Sequence, residues 1–192
     1  MISHNEIDEA KARFLHRYNR HERLDACLEE AGHDALLSAL QRNRLYAPIA
    51  TARVRSTIRG AWHCRLRTIA LAYVDEVGPE EYQQHFMVLR ERMNAEFAEY
   101  LAPTGFRVSH AQKSLSVYLK HLWCLGQVGR PPCCPVDRLI LSAAGAPLND
   151  RTWTTVDTTQ DYRRQLGYLQ AAADRSGDPV AVWELINFPS GS

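Results

Sequence analysis

The feature that most constrains the fold is the spacing of apolar residues, which recur every three or four positions along most of the chain. The clearest sets are Ile58, Trp62, Leu66, Ile69, Ala70 and Tyr73, followed by Phe86, Leu89, Met93 and Phe97. This spacing places each set on one face of an α-helix, and no segment has the convincing alternation of a half-buried strand. The sequence therefore predicts an all-α fold.

Glycine and proline mark where the predicted helices end. We expect a helix that begins at Leu24 to stop at Gly32, a short helix to follow to about residue 42, and a longer one to run from about 52 to 77. A chain of 192 residues fits one domain. We predict a single helical domain over 1–192 with two lobes. It has N-terminal helices over 5–77, a central core over 80–145 and C-terminal helices over 150–188.

Composition limits the class of protein. Apolar residues make up 45% of the chain and charged residues 23%, which is typical of a globular protein. No apolar run approaches the ~18 residues of a membrane span, and the first residues lack the apolar core of a signal peptide. The five cysteines do not resemble a secreted disulfide framework, and the adjacent Cys133 and Cys134 lack zinc-site spacing. We expect a cytoplasmic protein with no membrane partner, metal or cofactor.

Charge is segregated along the chain. Residues 35–74 contain no Asp or Glu, whereas residues 75–99 are predominantly acidic. The basic segment carries Arg42, Arg44, Arg53, Arg55, Arg59, Arg65 and Arg67. A patch of one sign attracts a polyanion, so a nucleic acid is the first partner to consider. Alternatively, these arginines pair with the acidic residues of the next helix.

A helix, a hairpin and a second helix are predicted over about 80–125. Pro103 and Gly105 are typical of a tight turn, and Ser109 is a good N-cap for a helix over 110–125. In that helix an apolar face is formed by Leu115, Tyr118, Leu119 and Leu122. Lys113 and Lys120, seven residues apart, lie on a different face and border one groove or one surface.

Lysine is rare in this chain, which otherwise uses arginine for positive charge. Only Lys11, Lys113 and Lys120 occur. A lysine can lose its proton and act as a nucleophile, which arginine cannot. The alternative is a pair of ordinary surface lysines whose methylene groups cover apolar neighbours. Asp137 follows a Pro-rich connection where a helix begins, so backbone N–H groups hold its carboxylate, and a plain helix cap also explains it.

Two short elements resemble a known family. Gln112-Lys113-Ser114 with the following apolar helix, and Pro135-Val136-Asp137-Arg138 after a Gly/Pro connection, resemble the core of the helix-hairpin-helix DNA glycosylases. The nearest similarity is to the archaeal 8-oxoguanine DNA glycosylases, and it covers about a quarter of the chain, over 101–144. The hairpin here has one glycine, Gly105, where many members have Gly-x-Gly.

The resemblance implies an enzyme that excises a flipped, modified base from DNA. Lys113 would attack the sugar and Asp137 would be the catalytic carboxylate, with lyase activity at the abasic site if an imine forms. If Lys113 is an ordinary lysine, Asp137 would direct water instead.

DNA contacts are expected from six residues, Arg53, Arg55, Arg59, Gly105, Lys120 and Arg138. The candidates to stack on the flipped base are Trp62, Trp123 and Trp153, each with a core position as the alternative. Two other functions remain open, a non-catalytic nucleic-acid-binding module and a protein-interaction domain.

Overall fold

The computed structural model describes residues 2–188, and this part of the chain folds into eight α-helices without a strand. The helices are α1 (His4–Tyr18), α2 (Leu24–Leu40), α3 (Ala52–Ala70), α4 (Pro79–Phe97), α5 (Val108–Cys124), α6 (Arg138–Ala143), α7 (Thr159–Ser176) and α8 (Val180–Asn187). The predicted all-α fold is confirmed.

Several helices begin or end at the residues that the chemistry of caps favours. Ser3 and Glu6 form a capping box at the start of α1, and the side chains of Thr51 and Thr158 accept hydrogen bonds at the starts of α3 and α7. Gly177 ends α7 with a φ of 72°, in the left-handed region that glycine adopts without strain.

Helix α5 is the centre of the molecule. Every residue in it except Val117 is buried. Helix α2 makes the most extensive contact with α5, and α4, α1, α3 and α7 also pack against it. The predicted apolar face over 115–122 is part of one large core that also contains Trp62 and Phe86. Because α5 is enclosed, polar side chains on it must find partners inside the protein.

Helix α2 is continuous through Gly32, where the sequence analysis expected an end. A Cβ atom at this position would overlap the ring of His63 on α3. Glycine therefore allows α2 and α3 to approach each other, and its role is close packing of helices rather than helix termination.

Two further helix ends differ from expectation. The long helix α3 stops at Ala70 and continues only as a 3₁₀ turn over Leu71–Val74. Helix α5 starts two residues early, with Arg107 rather than Ser109 before its first turn. The Ser109 hydroxyl instead donates to the Thr154 carbonyl oxygen at 3.2 Å and accepts from the Asn43 amide at 3.1 Å. The Ser109 side chain, which the local sequence predicted to cap the helix, therefore forms long-range hydrogen bonds instead.

The connection between α4 and α5 is held against the loop between α2 and α3. Gly105 has a φ of 62°, and the Asn94 amide is hydrogen-bonded to both backbone groups of Phe106 at 2.8 Å. The Ala102 N–H donates to the Leu45 carbonyl oxygen at 2.7 Å. The turn around Gly105 therefore lies on the same side of the molecule as the basic loop over 42–50.

The two ends of the described chain meet. The Ile2 N–H donates to Asp178 Oδ1 at 2.8 Å, and α1 packs on α8. A second, smaller apolar cluster joins these helices to the end of α5 and contains Ala10, Trp123 and Leu185. Helices α1 and α8 thus cover the C-terminal half of α5.

Candidate active site

Lys113 and Asp137, 24 residues apart in sequence, are in direct contact. Lys113 lies on the second turn of α5, and its Nζ is 2.8 Å from Asp137 Oδ2. Asp137 is the N-cap of α6, as predicted, and its Oδ1 accepts hydrogen bonds from the Leu139 and Ile140 N–H groups at 2.9 and 3.0 Å. One carboxylate oxygen is therefore fixed by the helix and the other by the ammonium group.

The surroundings of Asp137 favour its ionised form. Burial raises the pKa of this carboxyl, but the charge and hydrogen bond of Lys113 together with the two backbone N–H groups outweigh burial, and the net pKa is lower than usual. Asp137 is consequently a carboxylate of fixed direction at neutral pH.

The pair is largely covered. The Lys113 side chain is 7% exposed and that of Asp137 16%. Trp153, on a short 3₁₀ turn, forms one wall, with Lys113 Nζ 5.7 Å from its ring centre. Two surface clefts are lined by other residues, one of about 470 Å³ beside Tyr46 and one of about 550 Å³ beside Arg23. A nucleotide reaches Lys113 only if a neighbouring segment moves.

Lys120 is buried, whereas its predicted role in DNA binding requires an exposed side chain. Its Nζ lies 2.8 Å from Glu184 Oε2, and the two side chains are 6% and 1% exposed. The rings of Phe14 and Phe188 lie 4.7 and 4.1 Å from the same nitrogen. The ammonium is enclosed and already paired, so Lys120 cannot contact a phosphate backbone from this position, and the prediction is corrected.

Glu184 is a buried charged residue that the sequence pattern did not predict as part of a site. The available signal was a single carboxylate inside an otherwise apolar helix, over Val180–Asn187. A buried carboxylate needs a cation or several hydrogen-bond donors, and one of the three lysines of the chain supplies that charge here.

The basic segment divides into two parts. Arg65 is paired with Glu96 on the next helix, as the intramolecular alternative expects, whereas Arg67 lies 3.5 Å from Glu29 on the preceding helix α2. Within residues 2–188 no salt bridge involves Arg53, Arg55 or Arg59, and all three are exposed. Part of the arginine charge is therefore neutralised internally and part faces solvent.

Arg55 and Arg59 lie beside the ring of Tyr46. The Arg55 guanidinium is 5.3 Å from the ring centre, and its Nε donates to the Ala50 carbonyl oxygen at 2.8 Å. Burial raises the pKa of Tyr46, and the charges of Arg59 and Arg55 oppose that rise. This group lies at the start of α3, next to the loop that carries Arg44.

Arg138 and Gly105 remain accessible to a ligand in different ways. Arg138 directly follows Asp137, is exposed and, within the described chain, forms no ion pair. Gly105 is half-buried in the turn before α5. Arg138 therefore places a positive charge next in sequence to Asp137 of the Lys113–Asp137 pair.

The three candidate tryptophans occupy different places. Trp62 is fully buried, and its Nε1 donates to Ser114 Oγ at 3.0 Å, so no ring face is free for a base and it has the core role considered as the alternative. Trp123 is buried in the smaller cluster, with Lys11 Nζ 4.8 Å from its ring centre. Trp153 alone of the three lies against Lys113.

The cysteines are all unpaired thiols. Cys64 is exposed and the other four are buried. Burial raises the pKa of Cys124 to about 12 and that of Cys133 to about 11, so neither is a thiolate at neutral pH. Among the residues that the structure describes, no three His, Cys, Asp or Glu side chains converge as metal ligands.

Comparison of the chain with protein-family models, curated proteins and solved structures returned no match. Over residues 2–188, no helix is both long enough and apolar enough to cross a bilayer.

Proposed function

We propose that this protein is a DNA base-excision enzyme in which Lys113 is the nucleophile and Asp137 the catalytic carboxylate. The observation that carries the proposal is the 2.8 Å contact between Lys113 Nζ and Asp137 Oδ2, with Asp137 held by the first N–H groups of α6. Catalytic groups must converge on one reacting atom, and these two side chains already meet.

The chemistry requires only these two side chains. As the glycosidic bond breaks, its electron pair leaves with the base, and ionised Asp137 stabilises the positive charge that remains on the sugar. The Lys113 ammonium gives a proton to the departing base, and the neutral amine then bonds to C1′. Asp137 accepts a second proton from the nitrogen and gives it to O4′ as the C1′–O4′ bond opens and its electron pair moves to O4′. The product is a protonated imine between Lys113 and the opened sugar.

Strand cleavage follows from the same intermediate. Loss of a C2′ proton allows the C3′–O bond to break, and the 3′-phosphate leaves with the electron pair. The enzyme would then combine glycosylase and lyase activities. If water attacks C1′ instead, Asp137 accepts its proton and the strand stays intact.

The surface around the hairpin supports a DNA partner. The turn at Gly105 is held to the 42–50 loop by the hydrogen bond between Ala102 and Leu45, and that loop leads to Arg53 and Arg55 on α3. Exposed arginines that form no salt bridge bind phosphates independently of sequence. In this proposal the backbone docks here, and the target nucleotide rotates towards Lys113.

A non-catalytic nucleic-acid-binding module is the second candidate. The observation that favours it is the low exposure of the pair, 7% for Lys113 and 16% for Asp137, which is also typical of a structural ion pair. The base-excision proposal requires Trp153 or a neighbouring segment to move when DNA binds, whereas a binding module does not.

Borohydride trapping distinguishes the two. Duplex and single-stranded oligonucleotides that carry different modified bases are incubated with the protein, and borohydride reduces any imine to a covalent adduct. We expect an adduct with the wild-type protein and with the control Lys11→Gln, and none with Lys113→Gln. Asp137→Asn keeps a helix cap but loses the charge at the reacting carbon, so base release should fall at least 100-fold.

The remaining outcomes assign the function differently. Base release by Lys113→Gln without an adduct indicates the water-directed reaction. Binding of DNA by the wild-type protein without base release on any substrate favours the binding module. An adduct that persists in Lys113→Gln contradicts the assignment of the nucleophile.

A further inference from the structure

A second ion pair lies two helical turns from Lys113 on the same helix. Lys120 Nζ is 2.9 Å from Glu184 Oε1 and 2.8 Å from Oε2, so one ammonium contacts both carboxylate oxygens. Residues seven apart on an α-helix lie on the same side, about 10 Å apart along the axis. Helix α5 therefore presents Lys113 and Lys120 on one face, each opposite a carboxylate from a different helix.

Glu184 acts on both lysines. Its carboxylate is buried, and it interacts electrostatically with Lys113 and Asp137 as well as with Lys120. Burial raises the pKa of Glu184, and the charges of Lys120 and Lys113 oppose the rise. The charges of Asp137 and Glu184 thus both act on Lys113, and the charge of Lys120 compensates that of Glu184.

Several other titratable groups surround the four charges. They are Lys11 and Tyr18 of α1, Asp34 of α2, His121 and the Cys124 thiol of α5, and the Cys134 thiol before α6. Burial raises the pKa of Cys134 and lowers the pKa of His121 to about 3, so both are neutral at neutral pH. Asp34 lies 3.5 Å from His121, and Lys11 lies over Trp123. Within residues 2–188, the charges that act on Lys113 from inside this region are those of Asp137, Glu184 and Lys120.

We infer that Lys120 and Glu184 are positioning residues for Lys113, a role that rests on the proposed function. The Lys120 ammonium pairs with the Glu184 carboxylate, so that, of these two carboxylates, Asp137 is the one free to bind Lys113 and to align it with the sugar. The net charge of the four groups is zero, and Lys113 can release its proton without leaving a second uncompensated anion beside it.

A contribution to the stability of the fold does not by itself explain the Lys120–Glu184 ion pair. Desolvation of two buried charges offsets most of their attraction, and well-packed apolar residues of similar volume often replace such pairs without loss. Lys120 is also surrounded by Phe14 and Phe188, whose rings pack against its charged end. A positioning role makes a different prediction, because it concerns the proton on Lys113.

The deciding variant is Glu184→Gln, which keeps the size of the side chain and removes its charge. Lys120 then lacks its counter-ion and repels the Lys113 ammonium. The chain has only three lysines, so labelling with ¹³Cε-lysine gives three assignable NMR signals. The pH at which the Lys113 signal is half-titrated should fall by about one unit, as expected for a partly buried charge at this separation.

A double variant and a conservative variant serve as controls. Lys120→Met combined with Glu184→Gln removes both charges, and the Lys113 midpoint should return to within about 0.3 pH units of the wild-type value, since a net-neutral pair is replaced by neutral groups. Lys120→Arg retains the positive charge opposite Glu184, so the midpoint should stay within about 0.3 pH units of the wild-type value. A fold defect would not produce this pattern of a shift and its reversal.

The NMR result is independent of catalysis. A wild-type protein that releases no base contradicts the proposed function but leaves the midpoint measurement valid. A Lys113 midpoint that stays within 0.2 pH units in Glu184→Gln, or that rises, overturns the positioning role. If the double variant does not fold, Glu184→Gln and Lys120→Arg decide by themselves.

Discussion

His110 illustrates how burial sets the charge of a single residue. Its Nδ1 accepts from the Arg107 N–H at 3.1 Å, and Nε2 lies 3.4 Å from the Asn43 carbonyl oxygen. The ring therefore links the start of α5 to the α2–α3 loop as a neutral imidazole with its proton on Nε2. Burial lowers the pKa of His110 from 6.5 to about 4.

This lowered pKa makes stability depend on pH. Between pH 6.5 and about 4 the unfolded chain binds a proton that folded His110 does not, so the free energy of unfolding falls as pH falls through that window. The contribution of this residue is on the order of 3 kcal/mol. We expect His110→Gln, which can still donate and accept, to flatten the pH dependence of urea unfolding between pH 6.5 and 4. An equally steep dependence would assign the effect to other groups, of which His121 is the first.

Gly32 determines how closely the helices α2 and α3 approach each other. Alanine at this position must displace the His63 ring from its place beside Tyr118. Overpacking costs about 1–3 kcal/mol, more than the roughly 1 kcal/mol that alanine gains over glycine within a helix. We expect Gly32→Ala to lower the free energy of unfolding.

Gly60 of α3 is the matched control. A Cβ atom at Gly60 meets nothing within 4 Å. Gly60→Ala should therefore raise the free energy of unfolding by about 0.5–1 kcal/mol in the same denaturation assay. Equal effects of the two substitutions would mean that His63 moves aside without cost.

The exposed arginines of the basic segment can be tested for a role in DNA binding. Replacing Arg53, Arg55 and Arg59 together by alanine should weaken DNA binding for all sequences and reduce the slope of log K against log salt by about 2–3. Arg65→Ala with Arg67→Ala is the matched control, because both residues are already paired with glutamates. A salt slope that is unchanged by the triple substitution would remove this patch from the DNA interface.

For the whole molecule, sequence periodicity was enough to predict the class of fold and most of its helices. The cap at Asp137 was predictable because it depends on local chemistry, and so was the apolar face of α5 that contains Leu115. The continuity of α2 through Gly32 was not, because it depends on His63, which is distant in sequence. The burial of Lys120 depends in the same way on Glu184. The division into two lobes and the docking role of the hairpin stay predictions.

The ion pairs of α5 also set an order of events during synthesis. Glu184 follows Lys120 by 64 residues. At about 5–20 residues per second, a ribosome needs roughly 3–13 seconds to add that stretch. Until α8 has emerged, the central helix carries an ammonium group that has no counter-ion and that belongs in the protein interior. The nascent chain can gather its early helices during this interval, but it cannot bury α5 along its full length before almost all the described chain has been made.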